Sequence, residues 1–71
     1  AAEQGLTTAQ FNLGMVLASK DGDRERAWLW LSLAAEGGRT EAVVVRDQLE
    51  ERMSEAEKVR ARAAFQARQK P

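Results

Sequence analysis

The residues with chemistry to offer are few. The 71-residue chain has no histidine and no cysteine, which removes the usual general base, the commonest metal ligand and every thiolate or disulfide. Tyrosine is missing too. What remains is Ser, Thr, Lys, Asp and Glu, and three constellations stand out. Asp21-Gly22-Asp23 could open a cation loop. A calcium loop of the EF-hand kind, however, needs several more oxygen ligands and a glutamate at its twelfth position, so this stretch reads as a turn leading into an N-cap. Asp47, Glu50 and Glu51 could suggest acid–base work. They fall on the polar side of a helix, opposite Val45 and Leu49, where solvation is the expectation. Lys58, Arg60, Arg62, Arg68 and Lys70 form a basic run with only Phe65 for base stacking, and it reads as a solvated face. No residue is assigned a catalytic, cofactor-binding or metal-ligating role. The expectation is a protein that is not an enzyme and takes no cofactor.

Charge supports that direction. Eleven basic residues balance eleven acidic ones, whereas a general nucleic-acid binder carries a large basic excess, so nucleic acid is not the expected partner. The balance is uneven along the chain. Residues 1–53 hold six Lys/Arg against nine Asp/Glu, a net −3, and residues 54–71 hold five against two, a net +3. No apolar run approaches the ~20 residues of a membrane span, and no signal-peptide pattern is present. A chain without cysteine suits the cytoplasm and the periplasm equally. The start at Ala1 rather than methionine reads as a processed or excised piece.

The element that must position everything else is Ala27–Gly38, AWLWLSLAAEGG. Ala27, Trp28, Leu29, Trp30, Leu31, Leu33, Ala34 and Ala35 are interrupted only by Ser32. A helix apolar nearly all round is covered on several sides, so this is the expected central helix. Its tryptophans, two residues apart, point about 200° apart and cannot share a face. Arg24 and Arg26 each lie four residues before a tryptophan and could stack on it.

The flanking segments read as further helices. AAEQG at 1–5 looks like a helix end stopped by Gly5, with Thr7 and Gln10 as a capping box for the next. Ala9, Phe11, Leu13, Val16 and Leu17 have helical spacing, widened by Met15 and Ala18. Gly14 within it implies close approach of a neighbour. Lys20 to Gly22 break the pattern, Asp23 is the expected N-cap of the central helix, and Gly37-Gly38 end it. Thr40 is expected to cap a third helix with the stripe Ala42, Val45, Leu49 and Met53, flanked by Val43 and Val44. Ser54 with Glu57 is a second capping box, opening a last helix with a thin stripe of Ala56, Val59, Ala63 and Ala67.

AAEQG at 1–5 recurs as AAEGG at 34–38, an offset of 33, and Ala9 recurs as Ala42. A period in this range signals stacked helix pairs. Gly5, Ala9, Leu13, Gly14, Ala27, Trp30, Ala34, Ala35 and Gly38 resemble the Sel-one-like repeat pattern. Two departures stand beside the match. The connection Ser19–Asp23 lacks the family's Gly-x-Gly-Val, and the offset replaces Leu13-Gly14 by Arg46-Asp47. The related tetratricopeptide pattern fits less well, since its helix-2 alanine would fall on Arg26 and its closing proline on Arg39.

The resemblance implies an all-α, right-handed helical-repeat (solenoid) fragment of about four antiparallel helices. Residues 1–5 would end a preceding repeat helix, 6–38 would be one full repeat, and 39–71 a C-terminal helical cap. It implies that Trp30 fills the repeat core, leaving Trp28 nearer the surface as a contact anchor. It also implies a bacterial protein–protein interaction scaffold, with Gln10, Asn12 and Trp28 as candidate partner contacts. The alternative expectation is a homo-oligomer, formed through a bare face of Phe11, Leu13, Val16 and Leu17 and broken by Leu17→Asp.

Overall fold

The computed structural model describes residues 2–69, with side chains over 5–20 and 22–68; Ala1 of the expected N-terminal segment and Lys70 of the expected basic run lie outside them. The fold is all-α. Helices α1 (Ala2–Ala18), α2 (Arg24–Glu36), α3 (Thr40–Glu50) and α4 (Glu55–Gln69) follow one another with no strand among the described residues. A single 3-10 turn, Asp21–Asp23, joins α1 to α2.

Helix α2 is the centre, as its all-round apolar sequence requires. α1, α3 and α4 each pack against it, burying Ala27, Trp28, Leu31, Ser32 and Ala34. Ser32, the polar interruption, is enclosed and accepts a hydrogen bond from Arg46 Nη1 at 3.3 Å. Two glycines set the α1–α2 spacing. A Cβ on Gly14 would stand 2.8 Å from both Cγ and Cδ2 of Leu31, and one on Gly37 would run into the Thr7 hydroxyl. At the end of α2, Gly38 has φ 104°. The Gly38 N–H donates to Ala35 O and the Arg39 N–H to Ala34 O, at 3.1 and 3.0 Å, the paired bonds of a Schellman ending.

Several boundaries differ from expectation. α1 runs unbroken through Gly5, so Gly5 stops no helix and Thr7 caps none; Thr7 is instead buried against Gly37. Asp23 sits at the N-cap position of α2 but makes no side-chain capping bond; its carboxylate lies 3.9 Å from Arg26. At α3 the N-cap position belongs to Arg39, again without a side-chain bond, and Thr40 is the first helical residue. The Ser54–Glu57 box forms on both sides. Ser54 N–H donates to Glu57 Oε1 at 2.9 Å, and Glu57 N–H donates to Ser54 Oγ at 3.2 Å.

Buried faces differ too. On α3, Ala42 and Leu49 are buried and Val45 is half-buried, whereas Val43 and Val44 are exposed; Met53, expected to continue the stripe, is buried in the turn beyond the helix end at Glu50. On α4 the expected stripe is overturned: Ala56, Val59, Ala63 and Ala67 are exposed, and Ala61 and Phe65 face inward. Four residues apart, they share a helix face, and Phe65 meets the Trp28 ring edge-on at 5.8 Å.

Candidate protein-docking surface

Whatever this molecule does, α1 presents its most unusual surface. It carries one charged residue, Glu3, in 17, in a chain that is 31% charged. α2 covers the side of α1 that bears Gly14 and Leu17, leaving Leu6 62%, Leu13 40% and Val16 54% exposed, with Ala9 also open. Leu6, Ala9, Leu13 and Val16 follow steps of three, four and three residues, the spacing of a helix-pairing seam. Asn12 is exposed beside this stripe, while Gln10 is half-buried.

This placement corrects the expected packing set. Ala9 and Leu13 lie outside the buried core and are exposed, as is Gly5, with open space where a Cβ would stand. Gly14, Ala27, Ala34 and Gly38 do hold packing or turn positions, and Ala35 is half-buried. Leu17 belongs to the core, and Phe11 is half-buried beneath the Arg39 guanidinium, 4.7 Å from its ring centre. Neither is part of the bare face. Leu17→Asp would therefore test folding rather than association.

The burial of the two tryptophans is the reverse of the expected order, although both pack on the core. Trp28 is the core residue, only 5% exposed. Its Nε1–H donates to Glu50 Oε2 at 2.7 Å, and the Arg46 guanidinium lies 5.6 Å from its ring. Trp30 is half-buried under Arg68 at 5.8 Å. Arg46 and Arg68, rather than Arg24 and Arg26, thus provide the cations over the indoles. The reason is α4: it arrives on the Trp28 side of α2 and encloses that ring with Phe65. Trp28 has too little open surface to anchor a partner.

Glu50 is also more than a solvated carboxylate. Half-buried, it accepts from Trp28 and lies 3.9 Å from Arg62. Arg60 of the basic run donates to Glu25 of α2 at 3.0 Å through Nε, and its Nη2 is 2.9 Å from the same oxygen. That partner holds the Arg60 guanidinium above its ordinary pKa. Arg60 and Arg62 thus tie α4 to Glu25 of α2 and Glu50 of α3, while Lys58 pairs with Glu55 on α4 itself.

Two concavities flank α1. One, of about 550 Å³, lies between the C-terminal half of α1 and α3, with Met15, Ala18, Val45, Gln48 and Leu49 among its walls. The other, of about 260 Å³, is lined by Thr7, Thr8, Gly37, Gly38 and Arg39. Among the described residues, no group of three or more His, Cys, Asp or Glu is placed to hold a metal ion, and no helix is long and apolar enough to cross a membrane. Set against protein-family models, curated proteins and solved structures, the chain matches none.

Proposed function

We propose that this chain is a protein–protein interaction module: a helical-repeat scaffold of the Sel-one-like kind, bacterial, with no catalysis of its own. The observation that carries the reading is the outer face of α1. Interface centres are depleted of charge, and a contiguous exposed apolar patch marks an interaction site more often than ordinary surface. Leu6, Ala9, Leu13 and Val16 make such a patch on a helix almost free of charge.

The internal repeat adds support. The offset of 33 carries Ala9 onto Ala42 and Val16 onto Leu49. Ala42 and Leu49 are buried on α3, the helix that packs on α2. The same positions of the duplicated pattern are therefore covered by a helix in the second unit and open in the first. The face of α1 has the chemistry of a surface built to receive a helix.

A photoreactive amino acid at position 16 tests this, with position 59 as control, since Val59 is a similarly exposed valine on α4. In the cells that make the protein, the expected result is a protein adduct from position 16 that position 59 does not give. Equal adducts from both positions, or none from 16, would refute the reading.

A further inference from the structure

We infer that the occupant of the α1 face is a second copy of this chain, docked antiparallel about a two-fold axis crossing the middle of α1. This rests on the interaction-module reading and names its partner. Charge points to this occupant first. The described side chains of this face, residues 5–18 of α1, carry no charge, and such a surface gives a charged partner little in exchange for losing its water. Among the four helices, α2 spends its apolar surface in the core. α3 and α4 carry four and six charged residues in 11 and 15. α1, with one in 17, is the least charged of the four and bears the open stripe of Leu6, Ala9, Leu13 and Val16.

Side-chain size points the same way. In an antiparallel pair with the axis level with Phe11, Leu6 stands across from the second copy's Val16, and Ala9 across from its Leu13. Each alanine then receives a leucine, the alternation of small and large that lets facing layers interlock. A parallel pair would set Ala9 against Ala9 and leave a gap, and would align the helix dipoles unfavourably. The interface is isologous, so it closes as a dimer rather than growing into a fibre. It is also weak. Standard interfaces cover about 800 Å² per partner, and this chain exposes 4700 Å² over all its helices, of which one flank of α1 is a small share. The dimer is thus reversible and concentration-dependent.

Sedimentation equilibrium over a hundredfold concentration range is the test, on the 71-residue chain. The expected result is a mass rising from 7.9 kDa toward twice that, abolished by Val16→Lys and kept by Val59→Lys, with both variants retaining the parent's helical circular dichroism. A constant monomer mass, or a dimer that survives Val16→Lys, would overturn the inference. The register has its own readout because the chain lacks cysteine. A mixture of Leu6→Cys and Val16→Cys chains should form the mixed disulfide under mild oxidation. Leu6→Cys alone should not link, since the antiparallel pair holds those positions about 15 Å apart along the axis. Self-linked Leu6→Cys without the mixed species would overturn the antiparallel pairing. A monomer that still gives the position-16 adduct with another protein refutes self-docking and leaves the interaction module standing; a monomer without that adduct removes both.

Discussion

Replacing each tryptophan by alanine in turn gives a comparison whose outcome follows from where α4 docks. Trp28 is nearly enclosed, edge-on to Phe65 at 5.8 Å and hydrogen-bonded to Glu50 at 2.7 Å. A tryptophan buries about 150–250 Å², which at about 25 cal/mol per Å² is roughly 4–6 kcal/mol. That is an upper value, because the unfolded chain already covers part of its surface. Truncations of this kind cost about 3–5 kcal/mol. Losing the indole donor adds little, since Glu50 keeps Arg62 nearby and is part-exposed. Trp28→Ala should therefore cost about 4 kcal/mol. At about 0.05–0.15 kcal/mol per residue, a chain of this length has roughly 4–10 kcal/mol in total, so the variant sits near its unfolding threshold. Trp30, half-buried under Arg68, should cost about half as much. Urea unfolding followed by far-UV circular dichroism reads both. Equal costs, or a larger cost at Trp30, would refute the assignment of Trp28 to the core and with it the seat of α4.

Other substitutions probe single contacts. Gly37→Ala should destabilise by about 1–3 kcal/mol through overpacking, because its Cβ meets the Thr7 hydroxyl. Urea melts should show that cost shrinking in a Thr7→Ala background, and an undiminished cost would place the clash elsewhere. Ser54→Ala should cost about 1 kcal/mol by removing the N-cap of α4, measured by thermal unfolding. The Ser54 N–H, donating to Glu57, holds that carboxyl below its usual pKa. Stability from the ionised box is therefore present above the unfolded glutamate pKa and lost as pH falls through the lower folded one. Wild type and Glu57→Gln should converge in stability across that acid range, and a gap that widens there would contradict the bond. Glu50→Ala should cost about 1–3 kcal/mol by leaving the buried Trp28 N–H without its acceptor, and Glu50→Gln less; equal losses in urea melts would deny that bond a role.

The helix count and the central position of α2 were legible because a run apolar on nearly every side has no other stable place. The Gly37-Gly38 ending, the Ser54–Glu57 box and the close approach at Gly14 were legible because each depends on local chemistry. Side assignments were not. On α1, apolar residues occupy both flanks, so periodicity alone could not say whether Leu13 or Leu17 faces α2. Gly14 decides it, since only the glycine side allows Leu31 so near. On α4, alanines are so frequent that several stripes fit. The docked one holds Ala61 and Phe65 because Phe65 is the residue large enough to cover Trp28. The exposed set Leu6, Ala9, Leu13 and Val16 had a readable spacing, but exposure depends on where α2 lies, which spacing does not specify.

The proposed interaction module requires that a protein cover the outer face of α1. Carbene footprinting of the chain, in buffer and in the extract of the cells that make it, reads this at the side chains themselves. Labelling of Leu6, Leu13 and Val16 should fall in the extract while Val59 labels as before. Unchanged labelling along α1, or equal protection at Val59, would contradict it.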